Sequence, residues 1–173
     1  MYLVLEHAVG GDLDSVMRNF HLGGMSEDHT RFYIAEILLA LEYLHEMSII
    51  VRDLKPANCL TTASGHVKLA DFGHSTRQSD TGQSSPRSIC KSLDRIKQEP
   101  ASDTCSDGTG CVGTPEYMAP ETLHDQATTK LVDYWSLGII MYELIFACLP
   151  WGDLESSDCV DLFYSIITQP VYF

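Results

Sequence analysis

The most regular spacing of apolar side chains falls between Ser26 and Leu44, where Tyr33, Ile34, Ile37, Leu38, Leu41 and Leu44 return every three or four residues. That period predicts a long amphipathic helix. Ser26 is its expected cap, with Glu27 and Asp28 in the first turn, where acidic side chains meet unpaired backbone amides. Tyr2 to Leu5 is an apolar run of strand length, ended by the two glycines between Val9 and Asp12, and a brief helix is expected from Leu13 to Asn19. His66 to Ala70 (HVKLA) alternates as a short strand leading into Asp71. Asp133 to Ala147 (DYWSLGIIMYELIFA) is apolar on nearly every face, which predicts a helix buried in the middle of a domain. A shorter amphipathic helix is expected over Ser157 to Thr168. The stretch 74–110 breaks the pattern: eight serines, four threonines and two prolines with few large apolar residues predict a disordered insert.

Composition narrows the classes of function. A chain of 173 residues is enough for one domain that buries roughly 70% of its unfolded surface. The net charge of −13 disfavours nucleic acid and anionic membrane surfaces as partners and would attract basic peptides. Six cysteines without a CxxC pair suggest neither a zinc site nor a disulfide framework. With no long apolar run, a soluble protein of the cytoplasm or nucleus is expected.

Three motifs then occur in order: VRDLKPAN at Val51 to Asn58, LADFG at Leu69 to Gly73, and GTPEYMAPE at Gly113 to Glu121. Phosphoryl transfer needs a group that orients the attacking hydroxyl and cations that neutralise the phosphates. Asp53 is the candidate base, Lys55 a point charge for the transferred phosphate, and Asn58 and Asp71 are hard oxygen donors of the kind magnesium prefers. Taken singly, each would read as a surface or turn residue.

Together the motifs resemble the catalytic loop, metal-binding loop and activation-segment end of the eukaryotic protein kinases, with Asp53, Asn58 and Asp71 at the family's spacing. The resemblance implies an α+β fold of protein-kinase type: a mainly α-helical C-terminal lobe with short β-strands at the catalytic cleft, and the N-terminal β-lobe absent. It implies transfer of the ATP γ-phosphate, with Mg2+, to serine or threonine of protein substrates. Lys55 two residues after Asp53, and Thr114 in GTPEY, resemble serine/threonine rather than tyrosine kinases, and Thr114 is expected to bridge Asp53 and Lys55. Leu5 falls at the gatekeeper, Glu6, His7 and Ala8 at the adenine-binding hinge, Asp12 at the ribose contact and Leu60 at the floor beneath adenine. GTPEYMAPE followed by DYWSLGIIMYEL is similar to the AGC group, and the Ser-rich insert to its branch of microtubule-associated serine/threonine kinases and Greatwall. On this reading residues 1–173 are a partial kinase domain, hinge and C-terminal lobe, with 74–110 as an activation-segment insert.

Departures from the family pattern are equally legible. No lysine and no GxGxxG precede Lys55, so the glycine-rich phosphate cover and the strand lysine are not in this sequence. Val51 stands where a His or Tyr is usual and is expected to pack against Phe72. Ala57 replaces a common Glu, while Asp12 and Glu143 keep two acidic positions for reading basic substrates. Gly110 stands where many AGC kinases carry an activating phosphothreonine. Glu121, which normally meets a downstream arginine, is followed by Lys130 as the single Lys or Arg. The chain alone is therefore expected to fold poorly and to transfer little phosphate. The alternative is a non-catalytic kinase-like binding or scaffold module. IKQE at Ile96 to Glu99 and the Ser85–Pro86 pair match short modification patterns, and chance is the expected explanation for both.

Overall fold

The computed structural model describes residues 4–20, 23–78, 113–123, 128–151 and 159–173. Within them the order is α1 (Leu13–Arg18), α2 (Glu27–Glu46), β1 (Ile49–Ile50), β2 (Cys59–Thr61), β3 (Val67–Leu69), β4 (Thr76–Arg77), α3 (Pro120–Leu123), α4 (Leu131–Phe146) and α5 (Cys159–Thr168). Single 3-10 turns cover Pro56–Asn58 and Pro115–Tyr117. The expected helix-rich lobe with short strands is what the chain builds.

Helix α2 forms where the apolar period predicts it. Ser26 caps it by accepting from the His29 amide, and Ile37 and Leu41 are fully buried on its inner face. Leu38 departs from the predicted stripe and is 42% exposed. The buried core joins Leu13, Ile37, Leu41, Val51, Leu54, Cys59, Leu137, Ile140 and Leu144. A second cluster of Met118, Leu123, Ile139, Trp151, Leu162 and Ile166 holds α5 against the Pro115–Tyr117 turn and α3. Trp135 stacks on Trp151 at 5.8 Å between ring centroids. Since α4 lines both clusters, it is the element around which the lobe is packed.

Four expectations need correction. Val4 and Leu5 are irregular and exposed rather than a buried strand, and Tyr2 and Leu3 lie outside the described residues. Helix α1 stops at Arg18 with Asn19 as its C-cap, and α4 begins two residues early at Leu131 and stops at Phe146, with Ala147 as its C-cap at φ 55°. That helix is not buried all round: Leu131, Tyr134, Met141 and Phe146 are exposed, while Leu137, Ile140 and Leu144 face the first cluster, Ile139 the second, and Val132 packs with Ile50 and Ala119. Finally, the first residues of 74–110 are tied into the fold: Thr76–Arg77 pairs antiparallel with β1, Ile49 opposite Arg77 and Ile50 opposite Thr76. Residues 79–110, with Gly110 and both modification patterns, lie outside the described residues, as do the first two positions of the helix expected over Ser157 to Thr168.

The second hairpin positions the site. β2 and β3 pair antiparallel with Cys59 opposite Leu69, Leu60 opposite Lys68 and Thr61 opposite Val67. Their far ends carry Asn58 and Asp71, so a short ladder brings two motifs that are distant in sequence to one edge of the lobe.

Candidate active site

The side chains of Asp53, Lys55, Asn58 and Thr114 meet in one hydrogen-bonded group. Thr114 donates to Asp53 Oδ1 twice, from its amide and from its hydroxyl, each at 2.8 Å. Lys55 Nζ lies 2.7 Å from Thr114 Oγ1 and 3.2 Å from Asp53 Oδ2. The expected bridge through Thr114 is thus present. Asn58 Nδ2 donates to the Asp53 carbonyl at 2.9 Å and lies 3.4 Å from Oδ2. Burial pushes the Asp53 carboxyl up, but the hydrogen bonds from Thr114 and Lys55 and the lysine charge outweigh it, so its pKa lies below the ordinary aspartate value. Asp53 is therefore ionised at neutral pH and suited to orient a hydroxyl proton.

What holds this loop was not read from the sequence. Asp133, at the start of α4, is fully buried and accepts from the amides of Val51 and Arg52, each at 2.9 Å, and faces His45 Nε2 at 2.7 Å. The His45 Nδ1 lies 3.2 Å from the Tyr134 hydroxyl, so a proton on Nε2 satisfies every member. The carboxylate pins two consecutive amides next to Asp53 while Arg52 adopts φ 68°, a left-handed conformation that a non-glycine residue holds only when its surroundings impose it. An acidic residue in the first turn of a long apolar run was the available signal. Val51 is buried in the core as an apolar residue, while Phe72 is 44% exposed.

Beside the group lies a cleft of about 560 Å³ lined by residues 5–9 and by Leu60, residues 62–64 and residues 68–72 of the β2–β3 hairpin and its flanks. The expected hinge and floor residues Leu5, Glu6, Ala8 and Leu60 all line it, and the Glu6–Lys68 ion pair at 2.6 Å ties the hinge segment to β3. Asp12 does not line the cleft. It bridges to Leu60 through the backbone, but its Oδ1 accepts from Ser15 as the cap of α1, and that hydrogen bond lowers its pKa.

The oxygen donors fit a hard divalent cation. Asn58 turns its Nδ2 toward Asp53, which leaves Oδ1 without a hydrogen-bond partner among the described residues, and the Ala70 amide bonds the Asn58 carbonyl at 2.9 Å, which sets Asp71 next to it. Asp71 sits at φ 58° with one carboxylate oxygen on the Gly73 amide at 3.1 Å and the other without a hydrogen-bond partner among the described residues. Two protein donors at an open cleft suit magnesium, which keeps its remaining positions for water and phosphate oxygens. Among the described residues there is no cluster of three His, Cys, Asp or Glu side chains of the kind zinc requires.

On the outer side of the site Tyr117 donates to Glu143 Oε2 at 2.6 Å. Burial, with the charges of Asp14 and Glu116, pushes the Glu143 carboxyl above its ordinary range against the opposing hydrogen bond. Glu121 is half-buried and has no ion-pair partner among the described residues.

The chain belongs to the protein kinase family: the family description "Protein kinase domain" matches residues 1–169. It is 42% identical over 160 residues to the probable serine/threonine protein kinase IRE of Arabidopsis thaliana, covering 88% of this chain and 14% of that protein. It is 40% identical over 172 residues to serine/threonine-protein kinase sgk-1 of Caenorhabditis elegans, covering 99% and 31%. It is 36% identical over 178 residues to flippase kinase 1 of Saccharomyces cerevisiae, covering 100% and 19%. The chain thus spans less than a third of the length of each of these relatives.

Proposed function

We propose that this chain is the large-lobe portion of a protein serine/threonine kinase that transfers the γ-phosphate of ATP to hydroxyls of protein substrates. The observation that carries the reading is the closed group of Thr114, Asp53, Lys55 and Asn58, which aims a carboxylate, an ammonium and an amide at one point beside an open cleft. The cleft takes the nucleotide, with Leu60 below adenine and Glu6 and Ala8 along the hinge. Asn58 and Asp71 hold Mg2+, which neutralises charge on the phosphates. Asp53 orients the acceptor hydroxyl and Lys55 lies along the path of the transferred group.

Serine/threonine-kinase relatives across plants, fungi and animals support placement in the AGC group, and the long Ser-rich insert supports the branch of microtubule-associated serine/threonine kinases and Greatwall. Substrates with basic residues near the target are favoured by the net charge of −13 and by Asp14, Glu116 and Glu143 around Tyr117. The same charge disfavours nucleic acid and membrane partners. Among the described residues, the free thiols of Cys59 and Cys148 suit the reducing cytoplasm or nucleus.

The test is transfer of labelled phosphate from ATP to basic peptides by the full-length protein, with phosphoamino-acid analysis. The expected result is Mg2+-dependent label on serine or threonine, lost in Asp71→Asn. Label on tyrosine, or transfer indifferent to Asp71, would overturn the proposal.

A further inference from the structure

The wall of the cleft formed by residues 5–9 has no regular strand or helix, and Val4, Leu5 and Val9 are exposed, so packing against the core does not fix where it stands. Its downstream end is pinned to β2. The Gly10 amide donates to the Thr61 carbonyl at 2.9 Å, the Thr61 amide donates to the Gly11 carbonyl at 2.7 Å, and Asp12 bridges to Leu60. Upstream of Gly10, one hydrogen bond joins residues 4–9 to another element among the described residues: Lys68 Nζ donates to Glu6 Oε1 at 2.6 Å.

The hairpin register brings Lys68 there. It lies opposite Leu60 on the β2–β3 ladder, and directly opposed residues share a face, so the lysine stem stands beside the leucine that lies below adenine on the proposed function. Both line the cleft, and Lys68 is the one Lys or Arg among the lining residues. The wall is therefore a short span between two anchors on one hairpin, Lys68 on β3 and Thr61 on β2, with His7, Ala8 and Val9 held between them.

We propose that Lys68 is a positioning residue of the nucleotide cleft: through Glu6 it holds the hinge segment, and with it the backbone of Ala8, over Leu60 at the separation an adenine ring needs. This rests on the proposed function and adds to it a residue outside the three motifs. The side chains of Lys68 and Glu6 are 51% and 73% exposed, so the pair adds little to the stability of the fold. Its contribution is preorganisation. A segment with two anchors has fewer positions to give up when a ligand arrives than a segment with one, which lowers the ordering cost of binding. No hydrogen bond or ion pair among the described residues joins Lys68 or Glu6 to Asp53, Lys55, Asn58 or Thr114, so the pair acts on capture of the nucleotide and not on transfer.

The experiment has two arms, both on the full-length protein. The first is calorimetric affinity for Mg2+–ATP and for adenosine, with kcat and KM for ATP, in wild type, Lys68→Met, Lys68→Arg and the charge swap Glu6→Lys with Lys68→Glu. Lys68→Met is expected to weaken ATP and adenosine alike by about two- to fivefold, and to raise KM for ATP by the same factor with kcat changed less than about twofold. Lys68→Arg and the charge swap are expected to restore the affinity. Unchanged affinity in Lys68→Met, or a swap that restores nothing, would overturn the proposal. A loss confined to ATP would also overturn it and make Lys68 a phosphate contact. The second arm is amide hydrogen exchange over residues 4–9 without nucleotide, which needs neither binding nor activity. Faster exchange there in Lys68→Met, with α2 and α4 unchanged, supports the anchor, and equal exchange overturns it. Faster exchange in a protein that binds no nucleotide would keep the anchor and sink the kinase reading.

Discussion

Thr114 is the residue on which the site's geometry turns, because its hydroxyl touches both the Asp53 carboxylate and the Lys55 ammonium. Hydrogen bonds to charged groups contribute about 1.5–3 kcal/mol, so Thr114→Val should lower kcat/KM by about ten- to a hundredfold, and Thr114→Ser should restore most of it. Steady-state kinetics of the full-length protein checks both. Glu143 makes a different prediction. Its folded pKa is raised, so the stabilisation of its protonated form is complete below the unfolded carboxylate value and is lost as pH rises through the folded one. Glu143→Gln keeps an acceptor for Tyr117 and removes the buried charge. It should raise the melting temperature at pH 7.5 and change it little at pH 4, as measured by thermal unfolding. The buried Cys59 thiol is pushed up to about 12, so alkylating reagents at neutral pH should leave it unmodified in the folded protein.

At the scale of elements, the lobe is organised around the contact of α2 with α4 and the loops these helices hold. Asp133 is the link between α4 and the catalytic loop. Asp133→Ala leaves the Val51 and Arg52 amides and His45 without their acceptor, and the loss of one member of such a buried network costs about 3–5 kcal/mol. Chemical denaturation should report that loss, with activity falling as the loop loosens. Gly24 is a second link: at φ +73° an added Cβ would sit 1.9 Å from the Ile145 carbonyl oxygen, so Gly24→Ala should force the α2 entry away from the end of α4 and lower the melting temperature. Helix α2 was legible because its signals are local: the Ser26 cap, the acidic first turn and the apolar period. The roles of His45 and Asp133 were not, because the partners lie 88 residues apart and no period relates them. Strands β1 and β4 are two residues each, too short for alternation to declare itself, which is why the Thr76–Arg77 pairing was read as part of the insert.

For the whole molecule, the candidate site residues were legible because they are packed into three short motifs at fixed spacing. The packing beneath them depends on long-range fit and was not. The cleft is walled by the hinge segment and the β2–β3 hairpin among the described residues, and Val4 and Leu5 on its rim are 99% and 81% exposed. Such a rim favours association of the isolated 173-residue chain, which should transfer far less phosphate than the full-length protein. On the proposed function, Asp53 serves the chemical step at a site whose nucleotide is held by other residues. The most direct measurement compares Mg2+–ATP affinity and phosphate transfer in the full-length protein and in Asp53→Asn. Affinity within about threefold of wild type, with transfer reduced by about 10²–10⁴-fold, is the predicted result. Transfer unaffected by Asp53→Asn, or no transfer by wild type despite normal folding, would contradict it, and the latter would favour the scaffold reading.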